Sequence, residues 1–250
     1  MQRFFQPTAV LALAALALAA APAAQAQNSI GVNFTGTDSS GGTFPLLDGT
    51  AAGFVTDTHW NDADGNAGTI DPAYRFDSTG HTTGAGFTFS APDLSSSLSD
   101  ASQGGSYLLT KGYADINPPA PPAPGASLPG ITFSAVPYTT YDVYVYLDGA
   151  TAGTATYTLG TAAQTVMNGT AFNGTFQKAT ASTPGDYLVF SGLTGANFTL
   201  SGVSTTSAPV DGVQVVDAAP VPEASPAVSL GLLLALGAGG LTLRAARRRA

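Results

Sequence analysis

Asp62-Ala63-Asp64-Gly65-Asn66 offers the plainest metal chemistry in this chain, with three oxygen donors at i, i+2 and i+4. Calcium takes oxygen ligands from tight loops of this kind. An EF-hand would need glycine where Ala67 stands and glutamate where Ala73 stands. The expectation is therefore a looser calcium site at Asp62, Asp64 and Asn66, set against the alternative that Asp, Asn and Gly simply build turns. Trp60 is the only tryptophan, and Asn61 follows it. An indole face beside an amide can stack on a sugar and hydrogen-bond it, which makes Trp60 and Asn61 glycan candidates. The competing reading is a half-buried loop anchor, since tryptophan bodies are usually well covered. His59 and His81, the two histidines, have no metal-ligand spacing and no serine nucleophile motif. Glycoside hydrolysis needs two carboxylates across a sugar. Aspartates are so frequent here that candidate pairs occur everywhere and none is singled out. No catalytic residue is assigned, and the chain reads as a non-enzyme.

Residues 27–220 carry three cations (Arg75, Lys111 and Lys178) against fifteen aspartates, a net charge of −12. That surface repels nucleic acid and anionic lipid headgroups. It suits a secreted, soluble domain. The absence of cysteine excludes disulfides, thiol catalysis and cysteine zinc sites. The sequence holds no phosphate-binding loop and no dinucleotide fingerprint. No cofactor is expected beyond the calcium considered above.

The elements that must position these residues read as strands. The region is rich in Thr, Ser, Gly, Val, Tyr and Phe, a bias toward strands joined by turns. Ser29 to Phe34 alternates, with Ile30, Val32 and Phe34 on one face. Tyr141 to Leu147 is the strongest strand; Tyr141, Val143, Val145 and Leu147 share one face, and Tyr144 and Tyr146 the other. A strand apolar on both faces belongs in the middle of its sheet. Further strands are expected at Ala52–Val55, Tyr74–Ser78, Gly86–Ser90, Tyr107–Tyr113, Ile131–Ala135, Thr154–Leu159, Thr165–Met167, Thr175–Lys178 and Val210–Val216. Tyr187–Ser191 and Asn197–Ser201 read as a hairpin around Gly192–Gly195. Trp60–Thr69 and Asp93–Ser106 read as loops, and Asp148-Gly149 and Asp211-Gly212 as turns. The proline-rich stretch 117–130 reads as a surface loop insertion. The fold expected is all-β, an antiparallel β-sandwich of jelly-roll type without helix.

Both ends of the chain read as targeting segments. Arg3 begins a positive n-region, Ala9 to Ala21 is apolar, and Ala24-Gln25-Ala26 fits signal-peptide cleavage between Ala26 and Gln27. Residues 1–26 are the expected signal peptide and 27–220 the ectodomain. The tail, 221–250, runs Val221-Pro222-Glu223-Ala224-Ser225, then an uncharged span from Ala227 to Leu243, then Arg244, Arg247, Arg248 and Arg249. As a helix, 227–243 spans roughly 26 Å, a marginal crossing. Its arginines should stay cytoplasmic.

This tail resembles the PEP-CTERM sorting signal of exosortase substrates in Gram-negative bacteria. Pro222 and Glu223 match the motif, and Ala224 stands where the family has a second proline. The resemblance implies insertion into the inner membrane through the tail helix. It further implies processing by signal peptidase and an exosortase, then placement at the cell surface or outside it. Val32-Asn33-Phe34, Trp60-Asn61, Tyr141–Tyr146, Phe190–Leu193 and Val210–Gln214 are similar to stretches of uncharacterised ectodomains in exosortase-sorted proteins, which implies a shared sandwich and no particular activity. The functional expectation is a structural or adhesive surface or matrix protein, with extracellular polysaccharide as its partner and no nucleic acid. A carbohydrate-binding module is the alternative, and a secreted hydrolase the third.

Overall fold

A computed structural model describes residues 28–36, 42–65, 67–70, 76–91, 93–95, 103–117, 129–147, 153–168 and 171–218. The signal peptide, the sorting tail with its 227–243 span, Asn66, most of the proline-rich loop and Asp148-Gly149 lie outside these residues. Among the described residues no helix is long and apolar enough to cross a membrane. Gln27 to Ala219 forms one compact unit.

The chain is all-β. Its strands are β1 (Ser29–Phe34), β2 (Asn61–Ala63), β3 (Ala67–Ile70), β4 (Gly86–Ser90), β5 (Asp93–Ser95), β6 (Gly112–Asp115), β7 (Gly130–Ser134) and β8 (Thr140–Tyr146). They continue with β9 (Thr154–Leu159), β10 (Ala162–Asn168), β11 (Pro184–Gly185), β12 (Tyr187–Thr194), β13 (Phe198–Ser204), β14 (Pro209–Val210) and β15 (Gly212–Asp217). The first sheet has the order β12-β8-β15-β1-β2, and the second β11-β10-β9-β13-β7-β4-β3. A small third sheet is ordered β14-β6-β5. Pairing is antiparallel except for β1–β2 and β10–β11.

Period-2 alternation builds the core. Val143 faces Val215 and Phe190 across the ladder, and Val145 faces Val213 and Leu188. These side chains share one buried cluster with Phe87, Ile131, Phe133, Tyr157 and Leu200 of the second sheet. The two sheets therefore enclose a common core. As the pattern required, β8 sits between β12 and β15, apolar on both faces. Tyr141, Val143, Val145 and Leu147 enter the common core. Tyr146 enters a separate cluster on the other side, with Tyr144 partly buried against it.

The outward face of the second sheet is uncovered and hydroxylated. Thr69, Thr88, Thr132 and Thr199 stand directly opposite one another across β3, β4, β7 and β13. The Thr132 and Thr199 hydroxyls are 3.0 Å apart, and those of Thr156 and Thr165 2.8 Å.

Several local expectations are corrected. Tyr107–Tyr113 is not one strand. After Gly104 and Gly105, both at positive φ (67° and 51°), one helical turn, α1 (Ser106–Leu109), drives Leu109 into the second cluster before β6 begins. A contiguous Tyr-Leu-Leu run has no period, so a helical turn and a strand read alike. The segment ending in β12 and the one beginning β13 form no hairpin: β12 pairs with β8, while β13 pairs with β7 and β9 in the other sheet. Trp60–Thr69 contains β2 and β3 rather than loop alone, and Asp93–Ser95 is strand. Ala52–Val55 makes only an isolated bridge from Ala52 to Asp57, and Lys178 one to Tyr187. Asp211, read as part of a turn, sits at a bend between β14 and β15. It is fully buried, its N–H donates to the Tyr146 carbonyl (2.9 Å) and its carbonyl accepts from Phe34 N–H (2.9 Å).

Candidate functional site

The outward face of the first sheet is roofed, and the roof begins with residue choice on β1. Ser29, Gly31 and Asn33 alternate with the core residues and so point away from the core. Gly31 leaves room for the Trp60 ring: a Cβ there would lie 2.7 Å from the indole. Trp60 is 7 % exposed. It packs edge-on against Tyr146 at 5.8 Å, and its Nε1–H donates to the Asp57 carbonyl (3.2 Å). The indole is thus the anchor of a turn, not an open sugar platform. Asn61 is buried as well. Its amide donates to the carbonyls of Gly31 (2.8 Å) and Phe76 (3.0 Å) and accepts from Phe76 N–H (2.9 Å). Both ends of that side chain are spent on joining β1 to the 76–78 segment.

Beneath the turn Ala52–Asp57 lies a chain of buried polar side chains that the sequence reading did not single out. Tyr146 Oη donates to Gln214 Oε1 (2.7 Å) and accepts from Phe54 N–H (2.9 Å). Gln214 Nε2 donates to the Val55 carbonyl (2.8 Å) and to Ser29 Oγ (3.1 Å). Ser29 Oγ donates to Asp57 Oδ2 (2.7 Å), whose other oxygen accepts from His59 N–H (2.9 Å). A buried polar group is stable only when its partners are present, and here each link supplies the next. Burial pushes the Tyr146 hydroxyl far above the ordinary phenol range, so it remains a neutral donor. The signal available in the sequence was polar residues, Ser29 and Gln214, inside otherwise apolar strands.

What this network holds up is Phe54. Phe54 as a residue is 49 % exposed. One side of the ring stacks on Tyr187 (4.6 Å, 24°) and Tyr144 (5.7 Å, 24°). The layer continues through Phe176 on Tyr146 (5.2 Å), Phe172 on Phe176 (4.6 Å) and Tyr107 on Phe172 (5.0 Å). Beside it a polar pocket of about 40 Å³ is lined by Ala171, Asn173, Gln177, Pro184, Gly185 and Asp186. Asp186 is 7 % exposed, and Oδ2 accepts from Gln177 N–H (2.8 Å). Burial raises its carboxyl above the usual range against the pull of that bond.

Of the three calcium candidates, Asp62 Oδ1 accepts from Asn33 Nδ2 (2.9 Å) and Leu46 N–H (3.1 Å). Asp62 keeps part of its surface in solvent, yet its carboxyl is enclosed enough for burial to push it up. Its role is to tie β2 to β1 and to the 42–50 segment. Asp64 is exposed just beyond β2. Among the described residues no three His, Asp or Glu side chains come together as metal ligands. His59 is tied into its loop, with Nδ1 3.2 Å from the Ser78 carbonyl and Nε2 3.5 Å from Asp48. His81 is exposed, 2.7 Å from the Thr79 hydroxyl. The site as built is chemically a presented aromatic ring flanked by hydrogen-bonding groups. No protein-family model matches the chain, and no curated protein is significantly similar to it.

Proposed function

We propose that this chain is an exported bacterial surface or matrix protein with a structural or adhesive role, sorted by an exosortase. The observation that carries the reading is the order of the tail: Pro222-Glu223, an uncharged span over 227–243, then four arginines. The Ala24-Gln25-Ala26 cleavage pattern at the other end gives the matching export route. We take the ectodomain to be a jelly roll, and two features support this. The orders β12-β8-β15-β1-β2 and β11-β10-β9-β13-β7-β4-β3 are those of two sheets that share one core. Between these two sheets the chain passes at β2–β3, β7–β8, β8–β9, β11–β12 and β12–β13, the repeated crossing between layers that a jelly roll requires.

In the native host, mass spectrometry of the surface-located protein should find a new C-terminus near Val221–Ser225. Deleting the exosortase, or replacing Pro222 and Glu223 with alanine, should leave full-length chain in the inner membrane. Arg249 retained on surface-located protein would contradict the sorting reading and leave a plain anchor.

The stacked ring of Phe54 favours a second reading, a carbohydrate-binding module, in which adhesion to extracellular polysaccharide is the domain's own activity.

A further inference from the structure

We infer that the solvent-facing side of the Phe54 ring is a docking point for a neutral pyranose unit of a glycan, and that the Asp186 pocket receives one of its hydroxyls. The inference rests on the glycan-binding reading and gives it a location away from Trp60.

The ring is presented rather than merely left outside. Phe54 sits at the tip of the 52–57 turn. Its N–H is held by Tyr146 Oη and the next carbonyl, that of Val55, by Gln214 Nε2. Gly53, at φ 93°, gives the turn a backbone form that a side chain would oppose, and its N–H meets Ser106 Oγ at 3.3 Å. Tyr187 and Tyr144 support one side of the ring. Phe54 remains 49 % exposed, and a turn already held by hydrogen bonds leaves a ligand little ordering to impose. A flat, rigid, uncharged aromatic surface matches the C–H face of a pyranose. Sugar specificity then needs a few placed polar groups nearby.

The Asp186 pocket supplies them. Asp186 directly precedes Tyr187, the residue against which Phe54 stacks. Phe176, which precedes Gln177 of the pocket, lies on Tyr146, the residue that holds Phe54. The pocket's volume of about 40 Å³ exceeds the roughly 10–15 Å³ that one water needs, so it has room for a sugar hydroxyl but not for a whole ring. Its enclosed carboxylate accepts a hydrogen bond from a hydroxyl and repels an acidic sugar. Asp142 beside Tyr144 adds to that bias.

The test uses the full chain in a detergent without a sugar headgroup. Neutral oligosaccharides (cello-, manno- and galacto-hexaoses) and polygalacturonate are titrated by calorimetry, with thermal melts alongside. We expect a neutral oligosaccharide to bind. Phe54→Ala should weaken binding by roughly tenfold or more, as loss of a central aromatic anchor does, while Phe54→Trp retains it. Asp186→Asn should weaken it several-fold, with its melt close to wild type. If the wild type binds none of these glycans, the glycan-binding reading itself fails. If it binds and Phe54→Ala binds equally well with an unchanged melt, the reading stands and this location is wrong. Binding to polygalacturonate alone overturns the neutral ligand class, and an unaltered Asp186→Asn overturns the part given to the pocket.

Discussion

The two outward sheet faces of this protein are built from the same backbone pattern and have opposite fates. On the second sheet the outward residues are mostly Thr and Ser, with Thr69, Thr88, Thr132 and Thr199 in one row and Val203 standing exposed among them, and the face is left to water. On the first sheet the outward positions are Ser29, Gly31, Asn33, Tyr144, Tyr146 and Gln214. Loop 42–60, α1 and the 171–177 segment cover them. Threonine on an open face satisfies strand propensity and solvent together. Tyrosine and glutamine inside a strand demand both cover and partners, so their presence calls for a roof. A roof fixed by buried hydrogen bonds can hold one exposed ring in place, and a bare threonine face cannot.

The largest effect that would break this contrast is removal of the roof's anchor. Trp60→Ala should destabilise the domain by about 3–5 kcal/mol, the usual range for emptying a buried aromatic site, as measured by chemical denaturation. A loss below ~1 kcal/mol would mean that the roof rests on something else. Gly31→Ala should lower stability by about 1–3 kcal/mol through overpacking, because its methyl would lie 2.7 Å from the indole. The second sheet should behave differently. Thr132→Val keeps the branched shape and loses only an exposed hydroxyl pair, so its melt should stay within about 0.5 kcal/mol of wild type.

How much of this contrast was legible in the sequence depends on the range of the contacts involved. Alternation in Ser29–Phe34 and Tyr141–Leu147 placed both strands and their faces, since a period of two is a local property. The roof was not legible. Gln214 meets Val55 across 159 residues and Ser29 across 185, and nothing local to 52–57 announces a partner. The same limit misjudged Tyr187–Ser201. Two strands around a glycine-rich link look like a hairpin, yet sheet pairing is decided by β8 on one side and β7 and β9 on the other. Trp60 was visible as a residue of interest, and its anchoring reading agrees with the packing. Phe54, the ring that is presented, stood in an undistinguished Ala-Gly-Phe-Val run.

An electrostatic effect, smaller than loss of the roof's anchor, sharpens the roofed side. Burial raises the carboxyls of Asp62 and Asp186, so their neutral forms favour the fold. Their stabilising contribution is present in acid and is lost as pH rises through their raised range. Asp62→Asn/Asp186→Asn should therefore exceed wild type slightly at pH 7, by under ~1 kcal/mol once solvent screening is allowed for. The gap should close as pH falls through the carboxylate range. A gap that widens in acid would reverse the sign of both shifts.

The central claim is that the buried chain Tyr146–Gln214–Ser29–Asp57 fixes the turn that presents Phe54. The most direct measurement is amide hydrogen exchange at Phe54 in wild type and in Tyr146→Phe. The account predicts that the wild-type Phe54 amide, bonded to Tyr146 Oη at 2.9 Å, is protected although the residue is half exposed. In Tyr146→Phe that protection should fall while the amides of β8 and β15 keep theirs. Fast exchange at Phe54 in the wild type, or protection unchanged by removal of the hydroxyl, would contradict the account.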